Sequence, residues 1–290
     1  MVPLEGRRAD LDTAYNEGMP KYVLRDREIV DFHCERLPGT DLWFRGPFSK
    51  QLNCGRYITA IGAAQTFGCF CDRPYPAILS ERLGVPGLNL GYSGAGPDFF
   101  RGREDVLRRI DDSAFCAVQA ISGRSVWNSL LDNSNGLAYR RRRSDGTPPT
   151  VEQISDEVIA QEITVPKVLV WFSSRTPDYT PRHHRRAALL GDYPRLIDTP
   201  TLARIRPLVD AHAECVSQRS SPQPLVSRVD GKPTTMLLEA DPKPIFAGQG
   251  AALCQGIWHE NKYYFSPEMY QDAADILKTP CRALLAAQDG

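Results

Sequence analysis

Two segments share one plan: Ile58-Thr59-Ala60-Ile61-Gly62-Ala63-Ala64-Gln65-Thr66-Phe67-Gly68 and Gly87-Leu88-Asn89-Leu90-Gly91-Tyr92-Ser93-Gly94-Ala95-Gly96-Pro97. In each, a short apolar run ends in a tight turn flanked by glycines. Such a plan marks a parallel α/β sheet whose loops gather at the C-terminal ends of its strands, where these folds bind ligands. Both apolar runs read as core strands. The polar residues just beyond them, Gln65, Thr66 and Ser93, fall where a site forms.

The rest of the chain extends this pattern. Residues 31–37 and 42–47 read as short strands, the second closed by Gly46-Pro47. Residues 74–83 read as an amphipathic helix, with Pro74 at its start, Ile78, Leu79 and Leu83 at helical spacing, and Gly84 as its stop. A helix at 103–110 and a third core strand at 114–121 follow. Further on come a helix at 151–163, the clearest strand of the chain at 165–172, a helix at 201–213 and a short fifth strand at 214–217. Residues 220–243 are turn-rich, with an edge hairpin expected around Asp230-Gly231. A terminal helix over 267–287 is expected to break near Pro280. Crossovers of this length hold strands parallel and place helices on both faces. The expectation is therefore an α/β fold of three layers, α/β/α, around a mostly parallel sheet of about five strands.

Residues 1–30 are polar and aperiodic and read as an N-terminal arm. Residues 31–290 read as a single α/β domain with insertions at about 128–150 and 175–200. The first insertion holds the run Arg140-Arg141-Arg142-Arg143, and the second His183-His184. Both are read as solvated loops. The arginine run has a clamp for phosphate or sulfate as its functional alternative.

Composition narrows the classes. Of 290 residues 42% are hydrophobic, enough for a core, and 35 basic side chains balance 35 acidic ones. That balance excludes a strongly basic nucleic-acid or anionic-membrane binder. No apolar run approaches the roughly 20 residues of a membrane span. The opening residues lack the apolar core of a signal peptide, so the expectation is a cytoplasmic protein. The eight cysteines then read as buried small hydrophobes. Cys69 and Cys71 lack the spacing of a zinc or redox pair and no metal is expected. Because they follow the glycine turn, a reactive thiol there is the alternative.

Several stretches carry a resemblance: Val30-Asp31-Phe32, Leu42-Trp43-Phe44-Arg45-Gly46-Pro47, the block Gly62 to Gly68, Pro74-Tyr75-Pro76, Asn89-Leu90-Gly91 with Ser93-Gly94-Ala95-Gly96-Pro97, and Val170-Trp171-Phe172. Together they resemble a bacterial domain family of unknown function related to the SGNH/GDSL hydrolase fold, over about residues 30 to 280. The resemblance implies an SGNH/flavodoxin-like arrangement. Gly62 to Gly68 is similar to the first SGNH block, Gly-Asp-Ser-x-Thr-x-Gly, with Ala63 at its aspartate and Ala64 at its nucleophilic serine. Gly91 or Gly94 corresponds to the oxyanion donor of the second block. Asn128 stands near the third, away from its usual offset, and Tyr270 stands where the fourth places histidine.

By that reading the candidate substrate-binding residues are Gln65, Thr66, Gly91, Gly94, Ser122, Arg124, Asn128 and Tyr270. Ser93 and His259 are candidates for a relocated nucleophile and base. Each has a plainer reading. Gln65 and Thr66 suit a helix N-cap, Ser93 suits a turn, and His259 suits a structural histidine. Three functions compete: a group transferase, acyl or sulfuryl, acting on a glycan or small hydroxyl acceptor; an esterase using Ser93 or Ser122 with His259; and a non-catalytic glycan or ligand-binding protein. No cofactor motif is present, and only the transferase needs an activated donor such as acyl-CoA. The expected partner is a small molecule or glycan, not nucleic acid, and oligomeric state is left open.

Overall fold

The computed structural model describes residues 26–48, 52, 55–121, 162–178, 197, 199–238, 256–262 and 264–288. All but the last two residues of the expected helix over 151–163, the insertion over 128–150 and most of that over 175–200 lie outside these residues.

Seven strands form one sheet. They are β1 (Cys34–Arg36), β2 (Trp43–Arg45), β3 (Ile58–Gly62), β4 (Gly87–Gly91), β5 (Phe115–Gln119), β6 (Lys167–Ser173) and β7 (Ala211–Val216). Their order is β1-β2-β4-β3-β5-β6-β7. The five strands from β4 to β7 are parallel. This is the flavodoxin-like order, with the first parallel strand inside the second. The sheet exceeds the five expected strands because β1 and β2 add an antiparallel edge, β2 meeting β4 through Arg45 opposite Asn89.

Side-chain alternation along the strands builds the two outer layers. Ile58, Ala60, Phe115, Ala117, Val168, Val170, Phe172, Ala213 and Cys215 share one cluster with helix α2 (Tyr75–Leu83) and the C-terminal helix. Ile61, Leu88, Leu90, Cys116, Val118, Leu169 and Trp171 share the other with α3 (Pro97–Phe100), α4 (Glu104–Asp111) and α5 (Thr199–Ile205). The one-turn helix α1 (Ala64–Phe67) follows β3 directly. The chain leaves β3 on one face to reach β4, then reverses over the opposite face to reach β5. Right-handed crossovers demand that change of face.

Three expectations are corrected in detail. α5 stops at Ile205, a 3-10 turn spans Arg206–Leu208, and β7 begins at Ala211 rather than at 214. Pro207 disfavours helical backbone in the residue before it and ends the helix early. The terminal helix α6 (Pro267–Ala286) runs through Pro280 without a break. It buries Met269, Tyr270, Leu277 and Cys281 on both sides of that turn. Each large apolar side chain buried is worth about 1.5–3 kcal/mol, together more than the roughly 3 kcal/mol that proline costs a helix. The turn at Asp230-Gly231 is closed by Ser227 N–H to Lys232 O at 2.8 Å and by a Val226–Pro233 bridge. The expected hairpin is present but confined to residues 225–234, with Thr234 N–H to Leu225 O at 2.9 Å, and the strands on either side of it pair elsewhere. β8 (Gln223–Pro224) pairs with β11 (Glu260–Asn261), and β9 (Met236–Leu238) with β10 (Gly256–Trp258).

A third apolar cluster lies beneath these small sheets. Val30, Phe32, Ala64, Phe67, Cys69, Phe70, Leu225 and Met236 form it, with Trp43, Trp258 and Tyr264 packed against it. It places the small sheets beside α1.

Candidate functional site

β3 and β5 are neighbours whose next strands, β4 and β6, lie on opposite sides of the pair, the switch point where open α/β sheets form a crevice at the strand C-terminal ends. β3 ends in Gly62 because no side chain fits there. An added Cβ would lie 2.2 Å from Thr66 Oγ1 and 2.5 Å from Gln119 Oε1. β5 delivers Gln119, only 3% exposed, into the turn after β3. Gln119 Oε1 accepts from Ala63 N–H at 3.2 Å, Thr66 N–H at 3.1 Å and the Thr66 hydroxyl at 2.7 Å. No side chain within the turn caps α1, so the amide from the neighbouring strand meets donors that a helix start leaves unpaired. Gln119 Nε2 in turn donates to Gln65 Oε1 at 3.0 Å.

The second glycine turn docks against the first. Tyr92 N–H donates to Gly62 O at 2.9 Å. Asn89 lies in β4, where its Nδ2 donates to Thr66 O at 2.8 Å and its Oδ1 accepts Gly91 N–H at 2.9 Å. The Gly91 N–H is therefore committed within the protein. Arg45, 4% exposed, closes the far end of α1. Its guanidinium donates to Gly68 O at 2.9 Å, Phe67 O at 3.4 Å, Cys71 O at 2.6 Å and Asp72 O at 2.8 Å. It also lies over the rings of Phe32 and Phe67. A cation is favoured at a helix C-terminus, and a planar five-donor fork suits several carbonyls at once.

The sequence-derived candidates are distributed unevenly around this crevice. Gln65 is half-buried beside Gln119, and Thr66 is buried within the network. Ala64, which the sequence resemblance aligned with a nucleophilic serine, is 9% exposed and belongs to the cluster of Phe32, Phe67, Leu225 and Met236. Ser93 and Gly94 are half-buried in the turn after β4, where Ala95 N–H closes on Tyr92 O at 3.0 Å. His259 is exposed between β10 and β11, and its carbonyl accepts Leu225 N–H at 3.1 Å. No hydrogen bond joins it to Ser93. Tyr270 is fully buried on α6 against Phe172, and burial pushes its phenol well above the usual range. Ser122, Arg124 and Asn128 lie outside the described residues.

Cys69 and Cys71 are both buried. Burial pushes the Cys71 thiol up to about 12, partly opposed by a hydrogen bond with the Arg73 backbone and by Arg45. That is the reverse of an activated thiol, so the reactive reading of Cys71 is corrected. Among the described residues no group of His, Cys, Asp and Glu side chains converges to hold a metal. None of their helices is long and apolar enough to cross a membrane.

Three residues that organise the crevice were not candidates from the sequence: Gln119, Asn89 and Arg45. Gln119 had a signal, being the one amide in the apolar run Phe115-Cys116-Ala117-Val118-Gln119-Ala120-Ile121 and standing at its C-terminal end. Arg45 had a similar one, a charge directly after Trp43-Phe44.

Residues 21–132 match the family model "Domain of unknown function (DUF6473)". This bears out the family of unknown function expected from the sequence, over a shorter stretch than the resemblance covered. No curated protein matches the chain. Among solved structures, the chain is similar to a catalytic mutant of Axe2, an acetylxylan esterase from Geobacillus stearothermophilus. Identity is 12% and the TM-score 0.33, covering 57% of this chain and 78% of that one. It is similar to a carbohydrate esterase family 2 enzyme with a carbohydrate binding domain from Corynascus thermopiles, at 11% identity and a TM-score of 0.39, covering 83% and 68%. A protein from Lactobacillus plantarum shows 14% identity and a TM-score of 0.38, covering 80% and 98%.

Proposed function

We propose that the chain binds a small-molecule or glycan ligand at the crevice between the ends of β3 and β5, without serine-esterase chemistry there. One observation carries this reading. The nucleophile position holds only a methyl, which packs in an apolar cluster, and one of the two oxyanion candidates is committed, since Gly91 N–H donates to Asn89 Oδ1. Removing a serine nucleophile costs roughly 10⁶ in rate, and losing an oxyanion donor about 10²–10³. What the crevice retains is a half-buried amide, Gln65, suited to hydrogen bonding with a hydroxyl-rich ligand.

The test pairs labelling with binding. A fluorophosphonate probe is expected to leave the purified chain unlabelled, and p-nitrophenyl acetate to be hydrolysed no faster than by a Ser93→Ala variant. Oligosaccharides present at about a hundred times their Kd should stabilise the fold by about 2.7 kcal/mol, read as a rise of several degrees in Tm. Labelling that Ser93→Ala abolishes would overturn the reading in favour of a relocated esterase. Stabilisation by acetyl-CoA or a sulfuryl donor would convert it to group transfer.

A further inference from the structure

We propose that Gln119 is a positioning residue that turns the Gln65 amide so that its NH2 group faces the crevice, and the ligand is taken through an acceptor oxygen. The proposal rests on the ligand-binding reading above and names the chemistry that the site selects.

The orientation follows from a chain of donors. Backbone N–H groups cannot reverse their role, and two of them, from Ala63 and Thr66, point at one end of the Gln119 side chain. That end must be the carbonyl oxygen, and the Thr66 hydroxyl joins them at 2.7 Å. The NH2 end then faces Gln65, and only an acceptor can meet it. Gln65 presents Oε1 at 3.0 Å, so its own NH2 points away from Gln119. At 3% exposure Gln119 is closed off from bulk water, which leaves protein groups to set its direction. Among the described residues the Gln65 NH2 has no partner. A hydroxyl, ether or carbonyl oxygen satisfies it; a donor-only group such as an ammonium does not.

The test uses the whole chain labelled with ¹⁵N, the two side-chain NH2 signals being assigned from Gln65→Met and Gln119→Glu. In the wild type the buried Gln119 NH2 should exchange with solvent at least about tenfold more slowly than the Gln65 NH2. At neutral pH, Gln119→Glu supplies an acceptor-only carboxylate, so the Gln65 amide reverses and its NH2 becomes the slow one. Acidification returns a proton to the introduced carboxyl, which can donate to Gln65 Oε1 and bring the Gln65 NH2 back to the rate intrinsic to an exposed amide at that pH; relative to that rate the wild type shows no such step. A structural role alone predicts no pH-dependent reversal. With N-acetylglucosamine as probe, the Gln65 NH2 signal should move in the wild type. Binding should weaken about tenfold in Gln65→Met, and be lost at neutral pH but recovered in acid in Gln119→Glu.

A slow Gln65 NH2 in the wild type would overturn the proposal, as would a Gln65 NH2 that still exchanges fast at neutral pH in Gln119→Glu. If that variant does not fold, the wild-type exchange order and Gln65→Met decide. If the exchange order holds while N-acetylglucosamine, glucose and acetyl-CoA all leave the Gln65 signal unmoved, the acceptor-oxygen half falls together with the ligand-binding reading, and the orientation stands by itself.

Discussion

An added Cβ at Gly91 would lie 2.3 Å from Phe67 N and 2.6 Å from Thr66 C, both backbone atoms that cannot rotate away. The two glycine turns approach one another here, and Asn89 stitches them together through Thr66 O and Gly91 N–H. Gly91→Ala should therefore cost about 1–3 kcal/mol by overpacking, measured by urea denaturation; an unchanged midpoint would show that the turns have room to part. Arg45 organises the other end of α1 through four carbonyls. Lysine offers one compact ammonium in place of a planar fork and cannot reach all four. With about 1–3 kcal/mol for each buried polar group left unpaired, Arg45→Lys should lower stability by about 2–4 kcal/mol, despite keeping the charge.

At the scale of elements, α6 carries most of one face of the sheet. It packs Met269, Ala273, Ala274 and Leu277 into the cluster that also holds Val170 and Phe172. Its start is written in Ser266-Pro267-Glu268: Ser266 Oγ accepts Met269 N–H at 3.2 Å, and proline occupies the first turn. Pro280 conflicts with this helix, since it brings no N–H for the carbonyl one turn before. Pro280→Ala should raise Tm, with about 1–3 kcal/mol recovered from the roughly 3 kcal/mol difference in helix preference. A drop in Tm would mean that packing requires the bend that proline imposes. α5 is the contrasting case, because the turn Arg206–Leu208 that holds Pro207 buries none of its residues and the helix ends before it.

Among the described residues, burial acts on the cysteine thiols across the whole fold. Burial pushes Cys34, Cys71, Cys116, Cys215 and Cys281 up to about 12 from an ordinary 9.0. As pH rises past 9, the unfolded chain loses thiol protons first while the folded chain holds them. This contribution to stability is full below about pH 9 and falls away between about 9 and 12. Under reducing conditions Tm should be lower at pH 10 than at pH 8, and a thiol reagent at pH 8 should label Cys71, Cys116, Cys215 and Cys281 only as fast as the protein unfolds. An equal Tm at both values, or rapid native labelling, would contradict their burial.

The sheet was legible because its information is local. Apolar runs of strand length, closed by glycine turns and separated by helical spacing, specify β3, β4, β5 and β6 wherever they sit. Pro74 and Gly84 mark the limits of α2 in the same local way. The edge formed by β1 and β2 was visible as strands but not as part of the sheet, since pairing joins residues far apart in the chain and leaves no periodic trace. The crevice divides similarly. Local sequence placed Gln65, Thr66, Ser93 and the alanine at the nucleophile position in glycine turns. Only tertiary structure brought Gln119 across from β5, folded the small sheets over Ala64 and buried Tyr270 behind the sheet. Those facts depend on which groups meet across more than fifty residues of chain, and hydrogen bonds between such groups are set by packing, not by propensity.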